Sequence, residues 1–364
     1  MSGAFDCYDR AFLDASSIWG YFCLLITLPM PERQFDLSIL IVNYKTPQLI
    51  IDCLHSVFEH TSGTTFEVII VDNQSGDDSE AQVRSAFPLT DYPQVRWFDM
   101  GYNAGFGRAN NYAMKQALGR NYLLLNSDTL LIDNLIGRCS RLLDEQPDVA
   151  AVGAMQINRA GQVHTQMYTR FGEIRRPFYI LPIHPTVQRW LFRCIPDSVY
   201  DDPNQVDWII GAFLMTRAST VAKAGAFDER FFMYGEDTEW GWRLGKQGRM
   251  LVLHDGFFVH LEYGSDPTYQ AQQVTYINRF KTQMQVSNLL WIRKQYGVGA
   301  YLLLIFHYLT LVPIIYLWKI SVNLRQGKPL LSELENQRAF ARQVGVFTRF
   351  FWKTLFNRPG FYKV

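Results

Sequence analysis

Short continuous apolar runs alternate with stretches in which apolar positions recur every three or four residues, and this alternation governs residues 37–260. Apolar runs bounded by polar turns predict strands buried on both faces, and the three-to-four spacing predicts helices. Strands are expected at 37–42, 67–71, 95–98, 122–126, 149–155 and 206–215, with another apolar strand ending at His260. Leu49, Ile50, Cys53, Leu54, Val57 and Phe58 share one face of a helix between the first two strands. Thr46 before Pro47 reads as its start, a hydroxyl cap ahead of a proline at the first helical position. A further helix follows Asn103-Ala-Gly-Phe-Gly-Arg108, and another runs from Glu236 to about Gly245. Strands alternating with helices imply an α/β fold with a mostly parallel sheet covered on both faces.

Beyond Asn278 the pattern changes. Residues 298–318 carry no formal charge and would measure about 31 Å as a helix, near the hydrocarbon thickness of a bilayer. Phe340, Val344, Phe347, Phe351 and Leu355 then line one helical face, with Arg338, Arg342, Arg349 and Lys353 roughly opposite and no acid after Glu335. Such a basic, aromatic-rich amphipathic helix is expected to lie in a membrane surface. A single crossing by 298–318 would separate the α/β part from the arginine-rich tail, against the preference of positive segments for the cytoplasmic side. Peripheral or monotopic attachment is the expectation. Residues 18–29 are too short an apolar run to span, and Asp6, Asp9 and Asp14 precede them, unlike a signal peptide. The expected organisation is an N-terminal arm (1–36), an α/β domain (37–277) and a helical membrane-associating region (278–364).

Composition narrows the class. The 364 residues are 48% apolar and 15% aromatic, which excludes a disordered chain, and a net charge of +1 gives no field to recruit nucleic acid. The five cysteines are scattered with no C-x-x-C pair, which fits buried thiols in a reducing compartment. Within 156–205, Arg159, Arg170, Arg175, Arg176, Arg189 and Arg193 face one acid, Glu173, as far as Pro196, and prolines break the pattern. That stretch reads as an excursion over the mouth of a site. Arg175 and Arg176 are candidate partners for a ligand's phosphates, since guanidinium forks suit them; a solvated loop is the bland alternative.

The candidate chemistry sits at strand ends. Asp128 follows the buried run at 122–126, and ligands of open α/β sheets lie beyond such carboxyl ends; a helix cap is the bland alternative. Asp72 ends the strand at 67–71, where a carboxylate accepts hydrogen bonds from a ribose or base, or closes a turn with Asn73 and Gly76. The glycines of 103–108 allow close backbone approach, or simply a tight turn capped by Asn103. Glu236 and Asp237 open a helix, where the dipole favours acids without any function, but the flank Phe231-Phe-Met-Tyr234 would shield them from water. A shielded carboxylate titrates higher and is a better base. His260 is a candidate metal ligand beside Asp128, against the commoner role of a structural histidine.

In order, Ser38-Ile-Leu-Ile-Val-Asn-Tyr44, Ile70-Val-Asp-Asn-Gln-Ser-Gly76, Asn103-Ala-Gly-Phe-Gly-Arg108, Leu124-Leu-Asn-Ser-Asp128, Gly211-Ala-Phe-Leu-Met215, Gly225-Ala-Phe-Asp-Glu-Arg-Phe-Phe232 and Tyr234-Gly-Glu-Asp237 resemble the family 2 glycosyltransferases of GT-A fold. The chain is most similar to bacterial rhamnosyltransferases of O-antigen, capsule and exopolysaccharide assembly. The resemblance implies inverting transfer of a sugar, L-rhamnose from dTDP-rhamnose, to a polyprenyl-diphosphate-linked or polysaccharide acceptor at the cytoplasmic face of the bacterial inner membrane. It implies a nucleotide-sugar site at Asn43, Asp72, Asn103, Gly105, Ser127 and Asp128, and Mg2+ or Mn2+ held by Asp128 and His260. Asp237 matches the catalytic base, with Glu236 beside it. Asn126 departs from the pattern, standing where the metal signature often has its first acid, as does Glu239, standing where many members have aspartate. The alternatives are a galactofuranosyl or hexosyl transferase using a UDP-sugar, and a nucleotide-sugar-binding protein without catalysis. A dinucleotide-dependent oxidoreductase is disfavoured because no complete G-x-G-x-x-G follows the first strand.

Overall fold

The computed structural model describes residues 34–163, 169–261 and 275–364. The expected arm therefore lies almost wholly outside the described residues, as do Cys7 and Cys23. Residues Phe35–Val364 form one compact unit.

The strands are β1 (Phe35–Asn43), β2 (Phe66–Asp72), β3 (Val95–Asp99), β4 (Gly119–Leu125), β5 (Thr129–Leu131), β6 (Val149–Ile157), β7 (Gln205–Val206), β8 (Phe213–Arg217) and β9 (Arg249–His260). They make one sheet in the order β3-β2-β1-β4-β8-β6-β9-β5, with β7 also on β9. Pairing is parallel through β3-β2-β1-β4 and between β6 and β9, and β8 runs antiparallel to both β4 and β6. The six strands β3, β2, β1, β4, β6 and β9 thus point one way, which is the mostly parallel sheet expected. Their carboxyl ends share one edge. Because β8 is reversed, its start at Phe213 reaches that same edge.

Successive side chains of a strand face opposite ways, and both faces here are apolar. Leu37, Ile39 and Ile41 pack with Ile50, Cys53, Leu54 and Val57 of helix α1 (Pro47–His60) on one side. Leu40, with Ile69 and Val71 of β2, packs on the other side among residues that include Ala109 and Ala113 of a helix at Phe106–Gln116. One predicted strand divides. Residues 206–215 form β7 and β8 with a turn between them, because Trp208, Ile209 and Ala212 bury their side chains without laddering.

A third core holds the C-terminal helices. The long helix Thr282–Arg325 is broken at Gly297 (φ 85°, ψ −176°), a conformation open mainly to glycine. Before the break Val286, Leu289, Leu290, Trp291 and Ile292 are buried; after it, Tyr301, Leu304, Ile305 and Tyr308 face the helix Glu335–Leu355. That second helix runs back alongside, with Tyr308 and Phe347 rings 5.3 Å apart and Arg293 Nε donating to the Leu355 carbonyl. The apolar face at Phe340, Val344 and Phe347, expected in a membrane surface, is instead buried against its neighbour, since a partner helix satisfies the same stripe. The outward apolar face belongs to the first helix. It is formed by Leu302, Leu303, Phe306, Leu309, Ile314, Leu317 and Trp318. Among the described residues this is the one helix long and apolar enough to cross a membrane.

Candidate functional site

Parallel register brings Asn43, at the end of β1, beside Asp72, at the end of β2. Asn43 Nδ2 donates to Asp72 Oδ1 at 2.7 Å, and the Ser75 N–H donates to Asp72 Oδ2 at 2.9 Å. Ser75 Oγ also donates to Asp72 Oδ1. Asp72 therefore closes a turn and still has acceptor capacity on Oδ2, since a carboxylate oxygen takes more than one donor. Thr46 does not cap its helix; its hydroxyl donates to Asn43 Oδ1 and lies 3.2 Å from Ser127 Oγ. That hydroxyl ties the ends of β1 and β2 to the turn after β4.

Asn103 and Gly105 join the same edge. The Asn73 amide donates to Asn103 Oδ1 at 3.2 Å, and the Ala104 N–H donates to Asn73 Oδ1 at 2.7 Å. Gly105 has φ 78°, and a β-carbon there would lie 2.1 Å from the Phe232 carbonyl oxygen, so only glycine lets the two loops meet. The Phe106 N–H donates to that carbonyl at 3.1 Å.

From Phe232 the chain passes through Tyr234 (φ 68°) and Gly235 (φ 77°) into the helix Glu236–Leu244. Two successive left-handed residues set the direction in which that helix starts. Asp237 Oδ2 accepts the Gly211 N–H at 3.2 Å and Oδ1 the Thr238 N–H at 2.8 Å. Glu236 is buried, and its Oε2 has no hydrogen-bond partner among the described residues. Burial first, and then the Asp237 charge, push the Glu236 carboxyl up to about 8. Enclosure also raises Asp237 above the ordinary range, against the pull of the Gly211 and Thr238 N–H groups. Two adjacent carboxyls in low dielectric share the cost of charge, so one is held neutral.

Asp128 precedes β5, and antiparallel pairing sets Thr129 opposite His260 at the end of β9. His260 Nε2 is 3.1 Å from Asp128 Oδ1 and 3.3 Å from Asn126 Nδ2, and His260 Nδ1 is buried without a partner among the described residues. No group of three or more His, Cys, Asp or Glu able to hold a metal occurs among the described residues. A convergent carboxylate and imidazole nevertheless fit a hard divalent cation that fills its remaining positions with water and phosphate oxygens. The turn after β4 and the helix Glu236–Leu244 are linked through backbone: the Asn126 N–H donates to the Ala212 carbonyl at 3.1 Å, and Ala212 adjoins Gly211, whose N–H donates to Asp237. All three acidic motifs thus open on one edge.

The expected arginine pair behaves differently. Arg176 is buried in a bidentate pair with Asp197 at 2.8 Å and also donates to the Ile195 carbonyl. Arg175 stacks 3.6 Å from the Tyr296 ring centroid. Arg176 thus holds the 171–197 segment together, and Arg175 ties it to the helix Thr282–Arg325. Glu239 is buried in a cluster with Arg243, Lys294, Asp228 and Arg230. Sequence reasoning missed Ser75, the Gly211 N–H, Lys294 and the Phe361–Tyr362 segment. Tyr362 is fully buried and pairs as a bridge with Phe231, while the Phe361 ring packs on Phe232. Only the proximity of Ser75 to Asp72 was a usable signal.

Residues 38–201 match the model of glycosyl transferase family 2, a span that contains Asn43, Asp72, Asn103 and Asp128 but stops before Asp237 and His260. An N-acetylglucosaminyl-diphospho-decaprenol L-rhamnosyltransferase of Mycobacterium tuberculosis is 29% identical over 204 residues, 51% of this chain. The match spans only 62% of that relative's length. A low-salt glycan biosynthesis hexosyltransferase of Haloferax volcanii is 26% identical over 264 residues, covering 70% of this chain and 76% of its own. The solved mannosyltransferase PcManGT of Pyrobaculum calidifontis, in complex with GDP-Man and Mn2+, superposes over 93% of this chain and 94% of its own at TM-score 0.49 and 14% identity.

Proposed function

Because residues 38–201 match the model of glycosyl transferase family 2, we propose that this chain moves a sugar from a nucleoside diphosphate donor to an acceptor hydroxyl at the shared strand edge. The observation that supports this reading is the backbone link from Asn126, two residues before Asp128, to Ala212 beside the Gly211 that donates to Asp237. Asp72 offers Oδ2 to the nucleoside, and the close-packed Asn103–Gly105 backbone borders the donor. Asp128 and His260 would hold Mg2+ or Mn2+, which when bound offsets charge building on the departing diphosphate.

Asp237 takes the proton of the acceptor hydroxyl. As it does so, the acceptor oxygen bonds to the anomeric carbon and the bond from that carbon to the diphosphate oxygen breaks, inverting configuration. Its raised basicity suits this work, and a neutral Glu236 leaves the pair one negative charge. The relative named as an L-rhamnosyltransferase supports dTDP-L-rhamnose as donor and a lipid diphosphate as acceptor. A hexose from a UDP-sugar is the second reading, on the strength of the hexosyltransferase relative.

The outward apolar face of Thr282–Arg325 supports attachment to the cytoplasmic face of a membrane without crossing it, because the following helix folds back and returns the chain to Phe231. Purified protein incubated with single nucleotide sugars and a polyprenyl-diphosphate glycan should release nucleotide fastest from dTDP-rhamnose. Release from none of the panel contradicts transferase function; release from UDP-hexoses alone selects the second reading.

A further inference from the structure

The helix Pro185–Cys194 has no buried residue, although both of its ends are anchored. At the leading end the Ile180 N–H donates to His307 Nε2 at 3.0 Å and Tyr276 donates to the Leu181 carbonyl at 2.7 Å. At the trailing end Ile195 is buried, and Arg176 grips the Ile195 carbonyl and the Asp197 carboxylate. The Arg176 guanidinium lies 3.9 Å from the Phe192 ring centroid, and among the described residues the helix is otherwise largely exposed. It displays Trp190 (57% exposed) and Phe192 (53% exposed), with Ile183 (69% exposed) just ahead of it. Its charges are Arg189 and Arg193, and no acid occurs from Arg175 to Pro196.

The position of this helix limits what can cover it. His307, which receives the Ile180 N–H, neighbours Leu303 and Phe306 on the outward apolar face of Thr282–Arg325. The segment that leads into the exposed aromatics is thereby tied to the helix that carries that face. Exposed apolar surface on both elements marks an interaction site. Tryptophan and phenylalanine with arginine and no acid match the headgroup layer of an anionic bilayer, where aromatic rings sit at the boundary and guanidinium groups meet lipid phosphates.

We propose that Pro185–Cys194 is a second membrane contact, inserting Trp190 and Phe192 at the headgroup level while Arg189 and Arg193 bind anionic lipid. This rests on the membrane attachment argued above and extends it. Two contacts on different elements fix the tilt of the protein, which a single helix face leaves free to roll. The segment expected to clamp acceptor phosphates thereby becomes a lipid-facing element, with Arg175 and Arg176 bracing it.

Co-sedimentation of the full chain with phosphatidylcholine vesicles, with and without phosphatidylglycerol, tests this. R189Q/R193Q should weaken partitioning to phosphatidylglycerol vesicles roughly thirtyfold and leave pure phosphatidylcholine binding little changed. W190S/F192S should weaken both, with circular dichroism and donor affinity unaltered; should that variant misfold, the arginine pair still decides. L303S/F306S serves as the control for the long helix. Wild-type partitioning by both helix variants, with loss only in L303S/F306S, overturns the second contact and spares the first. Failure of wild-type protein to bind any vesicle overturns both. A dimer that dissociates on W190S/F192S without a change in vesicle binding assigns the face to a second copy and also overturns the proposal.

Discussion

Asp237 Oδ2 accepts the backbone N–H of Gly211 at 3.2 Å, and this contact couples the candidate base to the central sheet. The next residue, Ala212, takes the Asn126 N–H just before the candidate metal ligand Asp128. Both bonds exist because β8 runs against its neighbours, delivering its first residues where the parallel strands deliver their last. One reversed strand therefore positions two carboxylates that are distant in sequence.

Gly105→Ala should damage this edge. The left-handed φ of 78° strains any other residue, and the added carbon would strike the Phe232 carbonyl oxygen. A loss of about 2 kcal/mol or more in thermal stability is expected, with weaker binding of the nucleoside diphosphate. Gly101→Ala is the control, having φ 70° but nothing within 4 Å of the new carbon, and it should cost only about 1 kcal/mol. Equal losses would show that the contact with Phe232 is immaterial.

Glu236→Gln should change how stability depends on pH. The folded Glu236 carboxyl titrates at about 8, whereas the unfolded one ionises near 4.5. In between, the unfolded state releases a proton that the folded state keeps, so this group's contribution is present below about 4.5 and lost as pH rises to about 8. Glutamine has no proton to lose. The melting temperature of E236Q relative to wild type should climb across that window and level off above it. A difference independent of pH would contradict a neutral buried Glu236.

Lys294 ties the C-terminal helices to the helix Glu236–Leu244 through fully buried Glu239, and also pairs with the largely buried Asp228. Lys294→Ala leaves those carboxylates facing each other with fewer cations, and a loss of about 3–5 kcal/mol is expected. Burial would push Asp228 up, but hydrogen bonds from Arg230 and Lys294 outweigh it and hold the carboxyl well below its ordinary range. That contribution is present above the unfolded value of 3.8 and lost as pH falls below it, so K294A should also flatten the acid limb of an unfolding profile. A melting temperature within 1–2 °C of wild type, roughly what a few tenths of a kcal/mol would give, would deny the cluster its structural weight.

Much of this was legible in the sequence because apolar runs and their polar ends are local signals. The strands at 37–42 and 67–71, and the helix opening at Glu236, follow from residues that neighbour one another in the chain. What escaped depended on partners far away. Thr46 looked like a cap because its neighbours suit one, but Ser127 competes for its hydroxyl. The stripe at Phe340, Val344 and Phe347 suits lipid and a partner helix alike, because periodicity says which residues share a face and not what covers it. Arg176 looked free because Asp197 lies on the far side of a helix.

Asp128→Asn should separate donor binding from structure. The side chain meets His260 Nε2 and holds no core packing, so thermal stability should change by less than about 1 kcal/mol. Calorimetric titration with dTDP or UDP should lose most of the affinity gained on adding Mn2+ in the wild type. An unchanged metal dependence would remove Asp128 from the metal site.

Asp237→Asn tests the division of labour most directly when sugar transfer and donor affinity are measured on the same preparation. Transfer should fall roughly 10²–10⁴-fold, with the donor Kd within about threefold of wild type. Transfer at the wild-type rate would contradict this, because no proton acceptor would then be needed where Asp237 stands.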